Sequence, residues 1–211
     1  MTFTWFPGHM RNALRRIEAD ARLVDLVILL LDARAPATSR NATLEKTLLG
    51  QGKRLLFVLS KADIADPVAT QAWVRNLHGG GQDAVAVSGA TGAGRARLLQ
   101  VLQARHKKAQ DLARRRGLQH AILRCMVVGV PNVGKSTLIN KLAGSARAKA
   151  GKRPGLTRGP QWVRLSDEIE LLDTPGVMLP GLLGPESLLS LAVTGVIKED
   201  LLPLEDLAPR L

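Results

Sequence analysis

Apolar and polar positions alternate along the chain in two patterns. Short apolar runs rich in valine, leucine and isoleucine predict buried strands, and longer stretches with one apolar side predict helices. Strands that alternate with helices are typical of the α/β class, in which helices flank a mostly parallel sheet. The predicted strands span residues 23–32, 54–59, 84–87 and 122–128, with a hairpin over 162–172. The predicted helices span residues 10–22, 41–49, 67–77, 93–116, 136–142 and 185–193.

The chain has 211 residues, of which 45% are hydrophobic, enough to bury one substantial core. We therefore expect a single domain with an appendage. The 30 lysines and arginines outnumber the 18 acidic residues and give a formal net charge of +12. This excess favours a polyanionic partner, either nucleic acid or an anionic membrane surface. No apolar run approaches the roughly 20 residues of a membrane helix.

The chain shows no sign of export. Its first residues lack the basic segment, apolar stretch and small-residue cleavage site of a secretory signal, so we expect a cytoplasmic protein. Cys125 is the single cysteine, which excludes an internal disulfide and fits a reducing compartment. Because it lies in an apolar run, we expect Cys125 to be a small core residue without a catalytic role.

Residues 129–136 fit the phosphate-binding pattern GxxxxGK[ST]. They follow a predicted buried strand and open a predicted helix, which is the context that the motif requires. Backbone amides of the loop and of the helix N-terminus would face the phosphates. Lys135 would reach the β- and γ-phosphates, and the Ser136 hydroxyl would bind magnesium. The residues expected to contact the nucleotide here are Asn132, Val133, Gly134, Lys135, Ser136 and Thr137.

Residues 173–176 fit the DxxG pattern at the end of a predicted strand. Asp173 would hold magnesium through water, and the Gly176 amide would approach the γ-phosphate. Asp-x-Pro-Gly is also common turn chemistry, so the motif gains its meaning from the phosphate loop upstream. Thr157 is our candidate for the switch residue that closes on magnesium when the γ-phosphate is present, and Thr174 is the competing candidate.

Residues 60–63, Ser-Lys-Ala-Asp, resemble the NKxD motif that reads guanine. The Asp63 carboxylate can accept from the ring N–H and the exocyclic amine of guanine, and adenine would leave a buried Asp63 unsatisfied. Lys61 would lie over the base plane. Ser60 replaces the usual Asn, so we expect a shortened or lost polar contact and weaker nucleotide affinity. Ser88 and Gly89 resemble the loop whose backbone contacts the guanine oxygen.

The motifs occur in an unusual order. In ordinary GTPases the phosphate loop comes first, whereas here the guanine-reading motifs precede it. The long helix predicted over residues 93–116 can carry the chain back to the strand of the phosphate loop. Each motif then lies at the carboxyl end of a strand, where α/β sheets bind nucleotides. The sequence therefore predicts one GTP site built from circularly permuted motifs.

These motifs, with several further segments, resemble the ribosome biogenesis GTPase A family over nearly the whole chain. The resemblance implies a P-loop GTPase that acts late in assembly of the large ribosomal subunit and binds its precursor, both rRNA and ribosomal proteins, in a GTP-dependent way. We also expect no membrane partner and a monomer. The matching segments are WFPGHM at 5–10, DAR at 32–34, GVPNVGKSTLIN at 129–140, RPGLT at 153–157, QWV at 161–163, LLDTPG at 171–176 and LAVTG at 191–195.

The resemblance also assigns roles that the residues alone leave open. Val177 stands where many GTPases carry a catalytic Gln, and the resemblance nominates His9 to position the attacking water; otherwise His9 caps the adjacent helix or contacts RNA. It also implies that Asn132 binds a potassium ion between phosphate oxygens. The alternative is that Asn132 is simply a residue compatible with a turn. We thus expect His9, Lys135 and Thr157 to be catalytic, with Mg²⁺ and K⁺ as cofactors.

We expect residues 1–197 to form the permuted GTPase domain, with a basic helical segment over 1–22. Residues 198–211 would start a C-terminal extension. The family continues into a helical domain that contributes to ribosome contact and that is missing from this sequence. We expect GTP chemistry to survive without that domain and ribosome engagement to weaken.

The long helix over 93–116 combines an apolar side with dense positive charge that favours rRNA, although a solvated connector is the alternative. Arg11 and Arg15 share another basic face, and Trp5 and Phe6 are expected to anchor in the core. The apolar side is expected to hold Leu98, Leu99, Leu102 and Leu112. The basic cluster comprises Arg105, His106, Lys107, Lys108, Arg114, Arg115 and Arg116.

Two other functions stay open on the residues alone. Val177 and Ser60 also suit a GTP-binding, RNA-associated module without hydrolysis, which single-turnover measurements would distinguish. A P-loop ATPase or small-molecule kinase is opposed by Asp63 and by the lack of an obvious acceptor pocket.

Overall fold

A single mixed sheet organises the molecule. The computed structural model describes residues 7–144, 161–174, 176 and 185–196. Its strands are β1 (Leu26–Asp32), β2 (Arg54–Ser60), β3 (Asp83–Ala86), β4 (Leu123–Gly129), β5 (Gln161–Arg164) and β6 (Ile169–Asp173). They lie in the order β3-β2-β1-β4-β6-β5. All neighbouring pairs are parallel except β5 with β6, which is the predicted hairpin. The α/β prediction is confirmed.

Helices follow the predicted positions to within a few residues. Two short elements, helix α2 at Pro36–Ser39 and a 3-10 turn at Ala62–Ile64, were not predicted, because three or four residues are too few to show a period. The predicted first strand begins later than expected, since Leu23 lies in a turn and is 57% exposed. The helices are α1 (Pro7–Ala21), α2 (Pro36–Ser39), α3 (Ala42–Gly50), α4 (Pro67–Gly79), α5 (Arg95–Arg115), α6 (Lys135–Ala143) and α7 (Pro185–Val193).

Two apolar clusters lie on opposite faces of the sheet. One packs α1, α3 and α4 against alternate residues of the central strands, such as Leu29 and Phe57. The other packs α5 and α6 against the residues between them, such as Ile28 and Leu56. Every residue of β1 is buried, as expected for a parallel strand covered on both faces. Cys125 is fully buried in the second cluster, which confirms its predicted place, and burial raises the pKa of its thiol.

The long helix α5 makes the permuted connection that the sequence predicted. It starts after β3 at one edge and leads to β4, and its Leu98 and Leu102 pack on the intervening strands. Two assignments on this helix were wrong. Leu112, expected on the apolar side, is 50% exposed, and His106, expected on the basic surface, is buried. Each residue turns a helix by about 100°, so the buried face defined by Leu98 and Leu102 continues through His106 and Ala113 rather than Leu112.

Gly94 sets the approach of α5 to the sheet, and we expect Gly94→Ala to destabilise the fold. Gly94 has a φ of +76°, and a β-carbon there would collide with the Ala86 carbonyl oxygen. The left-handed backbone costs about 1–2 kcal/mol for alanine, and overpacking adds about 1–3 kcal/mol. Urea unfolding followed by circular dichroism measures the loss. Gly117→Ala is the matched control, because Gly117 has a φ of +77° but open space around it. Equal losses at both positions would contradict the clash.

Candidate functional site

The carboxyl ends of the parallel strands bring the predicted motifs together at one edge of the sheet. Residues 60–63 follow β2, Ser88 and Gly89 follow β3, and the phosphate loop follows β4. Asp173 ends β6, next to β4. Motifs that are far apart in sequence therefore meet at one edge of the sheet, where open parallel sheets bind ligands in a crevice outside the strand ends.

The phosphate loop turns sharply between β4 and α6. Asn132 has a φ of +55°, and Gly134, which caps the N-terminus of α6, has a φ of +101°. Val133 between them is fully buried and anchors the loop in the core. Ser136 and Thr137 lie in the first turn of the helix, half-buried and exposed respectively. The loop is thus pinned at its middle and leads into a helix N-terminus that can receive an anion.

Lys135 lies between the phosphate loop and the glycine of the DxxG motif. Its buried ammonium donates hydrogen bonds to the carbonyl oxygens of Gly129 and Val130, both at 2.9 Å. Burial lowers the pKa of Lys135 to about 8, and the negative charge of Asp173 partly opposes that shift. A β-carbon at Gly176 would lie 2.9 Å from Lys135 Nζ. The structure therefore brings the DxxG glycine against the lysine of the phosphate loop.

Of the three residues expected to hold magnesium, the structure describes Asp173 and Ser136. Asp173 is buried at the end of β6, and Ser136 lies in the first turn of α6. Thr157 and Val177 lie outside the described residues. Thr174, the competing switch candidate, is buried and donates from Oγ1 to the Val127 carbonyl oxygen at 2.7 Å. Since that hydroxyl is committed to β4, the geometry disfavours Thr174 as the switch residue.

Ser60 keeps a contact with the phosphate loop despite its short side chain. Its Oγ lies 2.6 Å from the Val133 carbonyl oxygen and 2.9 Å from that of Leu31, and its single proton can serve one of them at a time. β2 and the loop approach closely enough for a serine to bridge them. The link between the guanine motif and the phosphate loop is therefore shortened and not lost.

Lys61 and Asp63, which follow the end of β2, have different surroundings. Lys61 has a φ of +57°, and its Nζ lies 2.9 Å from Asp32 Oδ2. Asp63 lies in the 3-10 turn and is exposed. The expectation of a buried Asp63 is wrong for the described structure, because the turn lies beyond the end of the strand. A guanine-reading role for Asp63 would therefore rest on the donor pattern of the base and not on burial before binding.

The guanine-side loop after β3 packs on the helix of the phosphate loop. Ser88 is buried, and its Oγ accepts from the Thr91 amide at 3.0 Å. A β-carbon at Gly89 would lie 2.8 Å from Thr137 Cγ2. Lys141 of α6 also donates to the Ala90 carbonyl oxygen at 3.3 Å. The loop and α6 therefore place the two halves of the site relative to each other.

A buried ion-pair network beside Lys61 was missed by the sequence reasoning. Asp32 is fully buried, and Arg34 donates to it from Nε at 2.9 Å and from Nη2 at 2.7 Å. Burial raises the pKa of Asp32, but hydrogen bonds from Arg34 and Lys61 outweigh burial and hold that pKa below its ordinary value. The available signal was an acidic residue at the end of an otherwise apolar buried strand.

The turn after α7 contacts the same region. Arg34 Nη2 donates to the Thr194 carbonyl oxygen at 2.7 Å, and Asn132 Nδ2 donates to that of Gly195 at 3.1 Å. Thr38 and Ser190 hydroxyls lie 3.5 Å apart between α2 and α7. The segment with the sequence LAVTG therefore packs beside the phosphate loop.

Some residues singled out in the sequence lie away from this edge of the sheet, and the side chains of others lie outside the described part of the chain. His9 belongs to α1, but its side chain, like that of Arg11 and like Trp5 and Phe6, lies outside the described part. In the basic cluster, Arg105 pairs with Asp83, and His106 Nε2 lies 2.8 Å from the Ala121 carbonyl oxygen. The cluster members that are exposed are Lys107, Lys108, Arg114, Arg115 and Arg116.

The sheet order, the phosphate loop and the guanine motif at one edge define the class of the protein. It is a P-loop GTPase with circularly permuted motifs, a class whose members hydrolyse GTP to GDP and phosphate and use Mg²⁺. Residues 124–202 match the family profile described as 50S ribosome-binding GTPase. No described helix is long and apolar enough to cross a bilayer.

Comparison with known proteins identifies the family. The chain is 41% identical over 208 residues to ribosome biogenesis GTPase A of Bacillus pumilus, covering 99% of this chain and 73% of the relative. It is 33% identical to that of Thermotoga maritima, covering 91% and 65% of the two chains. A crystal structure of GNP-bound YlqF from T. maritima superposes with a TM-score of 0.65 at 27% identity, covering 94% and 72%. The chain belongs to the ribosome biogenesis GTPase A family.

Proposed function

We propose that the chain uses this GTP site in late assembly of the large ribosomal subunit, in the cytoplasm. Its GTP state would control attachment to the pre-ribosomal particle. The observation that supports a nucleotide-driven role is the meeting of four motifs at one sheet edge: residues 60–63, 88–89 and 129–136, and the DxxG residues Asp173 and Gly176. The name of the B. pumilus relative and the formal charge of +12 support a ribosomal, RNA-rich partner.

The donor set suits Mg²⁺. A buried carboxylate at Asp173 and a hydroxyl at Ser136 are hard oxygen ligands, and Lys135 lies close enough for its pKa to respond to Asp173. Among the described residues, no three His, Cys, Asp or Glu side chains gather in one place. We infer that Ser136, Asp173 and Thr157 hold Mg²⁺ together with water and phosphate oxygens, as Mg²⁺ sites in phosphate-transfer proteins commonly do.

Potassium is the second proposed cation, with Asn132 as its ligand. The Asn132 side chain is exposed and lies on the phosphate loop. Its Nδ2 donates to Gly195, which leaves the amide oxygen Oδ1 as the atom that would bind the cation. A monovalent cation there would offset charge that develops on the phosphate oxygens.

The experiment that tests the function is cosedimentation of the chain with large-subunit precursor particles. We expect binding with a non-hydrolysable GTP analogue and release with GDP. Equal sedimentation in both states would contradict GTP-dependent attachment. Single-turnover hydrolysis on the same particles is the second measurement, and particle binding without any hydrolysis would favour the non-hydrolysing RNA-associated module.

Replacing the five exposed residues of the basic cluster by Gln should weaken particle binding and reduce its salt dependence.

We expect His9→Ala to lower turnover more than GTP affinity. Val177 offers no polar group for the attacking water, and we propose that His9 positions it. Loss of one such group costs about 10²–10⁴-fold in kcat. An interaction made only in the transition state lowers kcat and kcat/KM together. Particle-stimulated hydrolysis and a nucleotide titration of the same variant test this.

The matched control for His9 is His78→Ala. His78 is exposed on α4 and its Nε2 lies 3.1 Å from the Ala84 carbonyl oxygen, remote from the phosphate loop. We expect its turnover to match the unaltered chain. Full turnover of His9→Ala at saturating particle would assign the missing group to rRNA or a ribosomal protein.

A further inference from the structure

Two residues of the nucleotide site hold a backbone conformation that side chains rarely adopt. Among the described residues, Lys61 and Asn132 alone have a positive φ without being glycine. Lys61 lies on the guanine side of the crevice and Asn132 on the phosphate side. Strained residues of this kind persist only where surrounding contacts hold them. The contacts that hold these two therefore bear on how the site is built.

Both residues are tied to the same turn, Thr194 and Gly195, which follows α7. Asn132 reaches it directly, by donating to the Gly195 carbonyl oxygen. Lys61 is linked to it indirectly. The Lys61 ammonium pairs with the buried Asp32, and Asp32 pairs with the half-buried Arg34. Arg34 in turn donates to the Thr194 carbonyl oxygen. One turn is thus linked to both sides of the site, directly at Asn132 and through Arg34 and Asp32 at Lys61.

Arg34 has the geometry that this chain of contacts requires. Its guanidinium donates to both carboxylate oxygens of Asp32, and its backbone amide donates to Oδ1 at 3.1 Å. These three bonds fix the fully buried carboxylate, and Oδ2 then meets Lys61 Nζ at 2.9 Å. The same Nη2 group donates to the Thr194 carbonyl oxygen. A planar guanidinium can serve a carboxylate and a carbonyl together, whereas a lysine ammonium lacks this fixed fork.

We propose that Arg34 is a positioning residue for guanine nucleotide binding, and that it makes the placement of Lys61 and the docking of the Thr194–Gly195 turn depend on each other. With its ammonium held by Asp32, the Lys61 stem is confined to one path across the guanine side. This inference rests on the proposed role of Lys61 at the base. Because coupling between two sites is reciprocal, nucleotide binding stabilises the docked turn to the same extent that the docked turn favours nucleotide.

The test measures two quantities in the same variants, the Kd for a fluorescent GDP derivative and the amide hydrogen exchange of the turn. The amides of Thr194, Gly195 and Val196 are hydrogen-bonded within the docked turn, to residues 190–192, so their exchange reports on its order. In the unaltered chain we expect GDP to slow this exchange. In Arg34→Ala we expect Kd to rise about tenfold, within the usual range of coupled sites, and GDP to have no effect on the turn.

Two further variants keep the result interpretable. Arg34→Lys retains a positive charge beside the buried Asp32, so the fold is preserved even if Arg34→Ala unfolds, and we expect it to lose the response of the turn to GDP. Arg40→Ala is the matched control, since Arg40 makes an equivalent two-bond pair with Glu45 and contacts neither Lys61 nor the turn. We expect the control to keep both the affinity and the response.

Lys61→Ala separates the inference from the function on which it rests. If Lys61→Ala leaves GDP affinity unchanged, the proposed role of Lys61 at the base is wrong. If Lys61→Ala weakens GDP binding while Arg34→Lys keeps both the affinity and the turn response, the coupling through Arg34 is overturned and the guanine site stands. Weakened binding in Arg34→Lys with an unchanged turn response also overturns the coupling.

Discussion

Lys135→Ala should reduce GTP hydrolysis by about 10²–10³-fold, the loss typical of removing one preorganised electrostatic contact to a reacting group. The Lys135 ammonium lies 2.9 Å from two carbonyl oxygens of the phosphate loop and close to Gly176 and Asp173. No other described cation takes that position. Single-turnover hydrolysis at saturating GTP measures the effect, with circular dichroism to show that the fold is intact.

Lys53→Ala is the control for this substitution. Lys53 also donates from its ammonium to a backbone carbonyl oxygen, that of Val24, at 3.0 Å. It precedes β2, at the edge of the sheet away from the nucleotide motifs, so its loss should leave hydrolysis unchanged. Hydrolysis by Lys135→Ala at the rate of the Lys53→Ala control would remove the phosphate loop from the mechanism.

The lowered pKa of Lys135 also predicts that GTP binding depends on pH. In the free protein its pKa is lowered to about 8, so above that pH the amine is increasingly neutral. Phosphate oxygens favour the charged form and raise the pKa on binding, so binding above pH 8 takes up a proton. GTP affinity should therefore fall as pH rises through 8. Binding heats in two buffers of different ionisation enthalpy measure the proton uptake, which Lys135→Ala should lack.

Asp63→Asn should exchange the base preference of the site. Xanthine carries an oxygen where guanine carries the exocyclic amine, and an amide can donate to that oxygen where a carboxylate cannot. A site built to hydrogen-bond one group rejects an analogue without it by about 10⁴–10⁵-fold at most. Because Asp63 is exposed before binding, we expect a smaller loss of GTP affinity, about 10²-fold, with a gain for xanthosine triphosphate. Competition titrations with the two nucleotides measure the change.

Asp66→Asn is the control for base preference. Asp66 caps α4 by accepting from the Ala69 amide at 2.6 Å, and asparagine caps helices about as well. It removes the same charge three residues away without touching the expected base contact. If Asp63→Asn and Asp66→Asn behave alike, Asp63 does not read the base.

The strands and most helices were predictable because their signals are local. An apolar run at β1 and the periodic leucines at the start of α5 each report burial within a few residues of sequence. Such patterns fail at Leu112, which is exposed while His106 and Ala113 take the buried face. Which residues at the edge of a helix's apolar side are buried depends on how the helix lies against the sheet, and that arrangement is set by residues far away in sequence.

The candidate site divides in the same way. The sequence by itself determined the phosphate loop, the DxxG and guanine motifs and their permuted order, because each is a short segment whose residue types and spacing carry its chemistry. The tertiary structure decided that Asp63 is exposed and that Thr174 bonds to β4. It alone revealed that Arg34 reaches a carbonyl oxygen 160 residues away. That acceptor is a backbone oxygen, which every residue possesses, so only the folded path of the chain singles out Thr194.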